Sequence, residues 1–170
     1  MPSSRFLIAS NTLGSSAASV TFSNIPATYT DLVLKFSART NKADVWEQVQ
    51  LRINGTTTNR SATWIVGNGA SASSVAYTNF VGSIPAASAT SNTFGSTEIY
   101  IPSYLSSTNK PLSTFNVAEN NSSTAGNTEI DAIAGLWSNT ATITSLEINT
   151  GSANSFISGS TFWLYGIKNS

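Results

Sequence analysis

Asp31-Leu32-Val33-Leu34-Lys35-Phe36-Ser37-Ala38 alternates at period two, placing Leu32, Leu34, Phe36 and Ala38 on one face. Successive side chains change sides only in an extended chain, so the stretch reads as a β-strand with one face in a core. Glu47–Ile53 repeats the pattern, with Val49, Leu51 and Ile53 inward and Gln48, Gln50 and Arg52 outward. Asn54-Gly55 follows at once. Both residues tolerate positive φ, so the pair predicts a tight hairpin turn.

Similar runs recur outward from these two: Arg5–Ser10, Ala18–Ser23, Thr63–Val66, Ala76–Val81, Phe94–Ile101, Leu112–Ala118, Thr128–Trp137, Ala141–Asn149 and Thr161–Ile167. They amount to about ten short strands, rich in β-branched and aromatic residues, with no helical period among them. Ala70–Ser74, Ala86–Thr93 and Asn120–Asn127 read as small-residue loops. The expected fold is all-β, an antiparallel β-sandwich of jelly-roll-like type. No stretch is long enough for a linker. Residues 1–17 are expected to form an N-terminal arm and first short strand, and residues 18–170 a single sandwich domain.

Ser, Thr and Asn supply 68 of the 170 residues, while charged residues supply 9%, against about 25% in a typical soluble domain. Hydroxyls and amides therefore cover this surface in place of charges. Exposed strand edges gain little protection from Lys or Pro, so either the sheet closes on itself or other chains cover its edges. The chain has no His and no Cys. Ser-His-Asp and Cys-His nucleophiles, ordinary zinc, haem and iron–sulfur sites, and disulfides are thereby excluded. Eight basic residues balance eight acidic ones, leaving no basic field for nucleic acid. The apolar run Phe6–Ala9 is too short for a signal-peptide core, and nothing approaches transmembrane length. The expectation is a protein made in a cytoplasm without a signal peptide, with no membrane, nucleic-acid, cofactor or metal partner, and not an enzyme.

A few side chains merit weighing as chemistry. Glu129 and Asp131 lie two apart on a predicted strand and so share a face. A glycosidase would set such a pair about 5–10 Å apart across a cleft. Alternation about Ile130 explains them more simply, as the solvent face of that strand. Asp44 and Glu47 flank Trp46, an arrangement able to grip a sugar, or to offer oxygens to Ca²⁺, although the spacing is unlike an EF-hand. Phe162–Gly166 is apolar on both faces and is expected to be covered on both sides.

Three stretches carry a resemblance. The first is Ser23-Asn24-Ile25-Pro26-Ala27-Thr28-Tyr29-Thr30-Asp31-Leu32-Val33-Leu34, continuing to Ser37-Ala38-Arg39-Thr40. The second is Ile84-Pro85-Ala86-Ala87-Ser88-Ala89, leading to Phe94-Gly95-Ser96 and Ile99-Tyr100-Ile101. The third is Gly135-Leu136-Trp137-Ser138-Asn139-Thr140-Ala141-Thr142-Ile143-Thr144-Ser145-Leu146, closing on Gly159-Ser160-Thr161-Phe162-Trp163-Leu164-Tyr165-Gly166-Ile167. Across most of residues 18–168 the chain resembles small β-sandwich virion structural proteins of tailed bacteriophages, of the capsid decoration (cement) type. Where that group carries Arg after Gly-Leu-Trp, this chain has Ser138, so a contact made by that arginine is not expected here.

The resemblance implies a jelly-roll sandwich on the capsid surface of a virion, with the major capsid protein and copies of itself as partners. A homotrimer would suit three-fold sites between capsomers. It implies no catalytic residues. Arg5, Phe6, Leu7 and Ile8, in the arm Met1–Ala9, are the expected capsid contacts. The alternative is a tail-fibre or baseplate component that binds host surface carbohydrate, with Trp46, Trp64 and Tyr77 as contacts.

Overall fold

The computed structural model describes residues 4–168, so Met1, Pro2 and Ser3 of the expected arm lie outside the described residues. Thirteen strands and no helix make up the described residues. Eight of them form one antiparallel sheet. Its strands, in spatial order, are β1 (Ser4–Thr12), β13 (Thr161–Lys168), β3 (Asp31–Ser37), β9 (Ser96–Ile101), β10 (Lys110–Ala118), β11 (Glu129–Trp137), β6 (Arg60–Gly67) and β7 (Ala72–Tyr77). The opposing layer holds β2 (Ser19–Phe22), β12 (Leu146–Asn149) and β5 (Gln50–Ile53) as one sheet. A short pair joins it, β4 (Trp46–Gln48) with β8 (Ser83–Pro85). The fold class is the expected one, an antiparallel β-sandwich.

Alternation puts the core between the layers. Leu34, Phe36, Trp64, Ile99, Leu112, Ile133, Phe162 and Leu164 come from the large sheet, and Val20, Phe22, Leu51, Ile53, Leu146 and Ile148 from the small one. Phe80, Val81, Ile84, Tyr104, Ile143 and Phe156 close the gaps from short strands and connections. Phe36, Phe162 and Phe156 pack in series, the first pair tilted and the second edge-on, with centroids 5.5 and 5.2 Å apart, within the range favoured by aromatic pairs.

Several elements depart from the sequence reading. Glu47–Ile53 is not one strand. It breaks at Val49, whose N–H donates to the Gly82 carbonyl at 3.2 Å, so β4 pairs with β8 while β5 pairs with β12. Asn54-Gly55 makes the expected tight turn, with φ of 51° and 73° and the Thr56 N–H donating to the Ile53 carbonyl at 3.1 Å, but the flanking strands β5 and β6 do not go on to pair with each other. Asn54 is also tied to the segment leading into β12: its Oδ1 accepts the Thr144 and Ser145 N–H groups, and its Nδ2 donates to the Thr142 carbonyl. The chain then crosses to the large sheet, where β6 pairs with β11. The run 141–149 is a strand only from Leu146 onward, because the Ile143 N–H is taken by the Tyr104 carbonyl. Part of the expected loop Ala70–Ser74 is the edge strand β7, and Phe80 and Val81 turn into the core.

The most informative reversal is in β11. Ile130 is the outward residue, 48% exposed, and Asp131 is fully buried. Ile133 and Trp137 share Asp131's parity and fill the core, so their burial carries the carboxylate in with them. A buried polar cluster receives it. Asp131 Oδ2 accepts the Ser83 N–H at 2.9 Å and Asn116 Nδ2 at 3.0 Å. Asn116 in turn donates to the Ser83 carbonyl and accepts from the Thr97 hydroxyl.

Candidate interaction surface

The exposed large hydrophobic side chains gather on the large sheet, and its outer face is the candidate surface. Among the described residues, the large hydrophobic side chains exposed there are Leu7 on β1, Ile65 on β6, Phe115 on β10, and Ile130 and Leu136 on β11, while Phe6 on β1 and Val75 and Tyr77 on β7 are exposed on the opposite side of the two edge strands, in register with Gly166, Trp64 and Ala62. No large hydrophobic side chain of the smaller layer is exposed. The half built by β10, β11, β6 and β7 is accordingly apolar and uncharged. Its outermost strand, β7, is exposed at every residue and carries no charge.

The other half holds a cleft of about 520 Å³. One cross-strand row supplies its walls and floor: Trp163 on β13 opposes Lys35 on β3, Lys35 opposes Glu98 on β9, and Glu98 opposes Phe115 on β10. Ser37 and Ser96 border the row on one side, and Tyr100 and Ser113 on the other. Lys35 Nζ lies 2.6 Å from Glu98 Oε2, with each side chain 38% exposed. Arg5 reaches the same carboxylate at 3.4 Å. It does so from three strands across and four residues along, roughly 19 Å on a flat sheet, so the face is curled into a trough. Burial alone would raise the Glu98 pKa, but the hydrogen bonds and charges of Lys35 and Arg5 outweigh it and hold the carboxyl below its ordinary range.

The expected contact residues fall in different places. Arg5–Ile8 belong to β1, which pairs with β13 and forms one edge of the large sheet. Arg5 is committed to Glu98. Phe6 lies against Tyr29, with ring centroids 5.9 Å apart. Leu7 is 56% exposed, and Ile8 sits at a bulge, half-buried against the core. Trp64 is buried, its indole N–H donating to the Asn79 carbonyl at 3.0 Å, which removes it as an exposed platform. Tyr77 is 45% exposed and packs edge-on against Trp64. Trp46 is half-buried, donates to the Gly126 carbonyl at 3.0 Å and carries Lys42 over its ring at 5.6 Å.

The carboxylates do not converge as a catalytic pair. Asp131 points into the core, and burial raises its pKa against the opposing hydrogen bonds from Ser83 and Asn116. Glu129 is likewise raised, mainly by burial. Glu47 is buried and accepts Ser152 Oγ at 2.7 Å and Asn154 Nδ2 at 2.8 Å, while Asp44 pairs with Lys42 at 3.1 Å. Among the described residues no group of three or more acidic side chains is placed to hold a metal ion.

The sequence reading missed Trp163, Lys35, Glu98 and Phe115 as one site. Its signal was partly there: Trp163 alternates with core residues Phe162 and Leu164, and Phe115 with buried Thr114 and Asn116. Which outward residues become neighbours depends on strand order, and that is not local. The chain matches no family model, no curated protein and no solved structure.

Proposed function

We propose that the chain is a non-enzymatic structural protein of a bacteriophage particle, a capsid decoration (cement) protein. It binds the outer shell between capsomers, with the major capsid protein and copies of itself, as a homotrimer, for partners. The carrying observation is the uncharged apolar half of the large sheet's outer face, bounded by the exposed edge β7. Isolated soluble proteins rarely expose contiguous apolar surface of this kind, and it suits a molecule that works inside a fixed assembly.

The physics of that role asks for little else. A protein that binds the closed lattice and not loose subunits shifts stability toward the closed shell by mass action. Repeated weak contacts add through multivalency. The two open edges, β1 and β7, differ in sequence, so contact between them would be heterologous and could close into a ring.

The second reading is a tail-fibre or baseplate component that binds host carbohydrate. Trp46 and Tyr77 favour it, since Tyr77 Oη donates to Gln48 at 3.4 Å and Gln48 lines a shallow cleft with Trp46. Copy number in purified particles separates the two, measured by quantitative mass spectrometry against the major capsid protein. Hundreds of copies support the shell reading, a dozen or so the fibre reading, and absence from particles overturns both.

A further inference from the structure

The trough on the large sheet differs in kind from the apolar half beside it. It has an aromatic wall on each side and a floor that both donates and accepts hydrogen bonds. We propose that this trough binds a neutral oligosaccharide, whose ring faces pack on Trp163 and Phe115 while hydroxyls engage Lys35 and Glu98.

The walls come first. Trp163 and Phe115 stand in one row with β3 and β9 between them, three strand spacings or about 14 Å apart on a flat sheet and closer on this curled one. That leaves room for a short saccharide chain. Phe115 is 53% exposed in mid-sheet, where a phenyl ring costs free energy in water and recovers it on covering an apolar ring face.

The floor decides the class of ligand. An ammonium offers three donors, and an ionised carboxylate offers acceptor sites only. With Nζ and Oε2 at 2.6 Å, a pair of adjacent hydroxyls can accept from one and donate to the other. An ion pair this exposed adds little to folding, so its water can be exchanged for a ligand's hydroxyls at small cost. Lys35 and Arg5 are balanced by Glu98 and by Asp31, which accepts from Tyr100 Oη at 2.9 Å. The trough therefore has no net charge, which disfavours an anion or a cation and suits a neutral polyol. Ser37, Ser96 and Ser113 add hydroxyls along its length.

The test is NMR on the full-length ¹⁵N-labelled protein, titrated separately with maltotriose, cellotriose, chitotriose and mannotriose to millimolar concentration. At least one sugar should shift the Trp163 indole N–H and the amides of Glu98 and Phe115. Phe115→Ala and Glu98→Gln should each weaken that binding by about tenfold or more, with Trp46→Ala leaving it unchanged. Phe115→Ser serves if the alanine variant does not fold. The proposal is overturned if none of the four sugars moves those signals, if the shifts survive both trough variants, or if Trp46→Ala abolishes them. Copy number per particle does not enter this experiment, so the saccharide site and the shell reading stand or fall separately.

Discussion

A Cβ on Gly82 would lie 2.7 Å from Cγ of Asp131, so the buried carboxylate of β11 fills the space that any side chain at position 82 would need. Gly82→Ala must either push Asp131 out of its hydrogen bonds with Ser83 and Asn116 or lift the segment before β8 off the large sheet. The expected loss is about 2 kcal/mol, the range for overpacking a core. It should appear as a lower denaturant midpoint at unchanged slope. An unchanged midpoint would mean that this segment yields freely.

Asp131 also sets a pH dependence. Its pKa is raised in the fold, chiefly by burial, so the native state holds its proton more tightly than the unfolded chain does. Stability from this group is therefore greatest below the ordinary carboxylate range and falls as pH rises through the folded pKa. Asp131→Asn keeps an acceptor for Ser83 and Asn116 and places a donor at the second position. The variant should be at least as stable as the parent at pH 7, with a flatter stability profile from acid to neutral pH. A large loss at pH 7 would mean that the ionised carboxylate is needed by the network.

Arg39 is 6% exposed and organises the loop before β9. Its guanidinium donates to the carbonyls of Thr90, Thr93, Ala87 and Ala89 at 2.6 to 3.1 Å. A charged donor held by four backbone acceptors leaves several of them unpaired when it is removed. Arg39→Met should cost about 3 kcal/mol, and Arg39→Lys should recover only part of that, because a lysine lacks the planar fork. Chemical denaturation of the two variants checks both statements. Equal stability of Arg39→Met and the parent would mean that water replaces the guanidinium.

Leu7 and Ile65 test the outer face at its two ends. Both are more than half exposed, so Leu7→Lys and Ile65→Lys should each change folding stability by no more than about 0.5 kcal/mol. Co-sedimentation with particles stripped of the native protein should fall sharply for the residue that lies in the contact. Full binding by both variants would take this face out of the attachment surface.

How much of this could be read from the sequence depends on how far each feature reaches along the chain. Alternation around Leu34 and Phe36, and around Leu51 and Ile53, located the inward residues correctly, while the runs Phe94–Ile101 and Thr161–Ile167 located strands without separating their two faces. In β11 alternation fixed parity without saying which set was inward: Asp131 shares its set with Ile133 and Trp137, while Ile130 shares its set with Ala132 and Ala134. The bulkier set won the core. Asn54-Gly55 supplied hairpin chemistry, but the turn was recruited by residues 142–145, which lie far along the chain. Trp64 was legible as apolar and not as buried, since its indole partner, the Asn79 carbonyl, lies beyond β7. The trough was least legible of all. Four strands meet there in an order the sequence does not announce, and the Lys35–Glu98 pair exists only through that register.

The place of β13 governs the order in which the protein can fold. This strand, the last among the described residues, lies between β1 and β3, bonded along its length to both. A nascent chain still lacking residues 161–168 has no partner for β1 and cannot complete the sheet on that side of β3. Closure must therefore wait until residues 161–168 have emerged, with β1 held as an unpaired strand until then. Topologies dominated by such distant pairings fold slowly, on the scale of milliseconds to seconds. A truncation before Thr161 should leave a chain that collapses and associates through its bare edges, a liability that ordinary loop truncations do not carry.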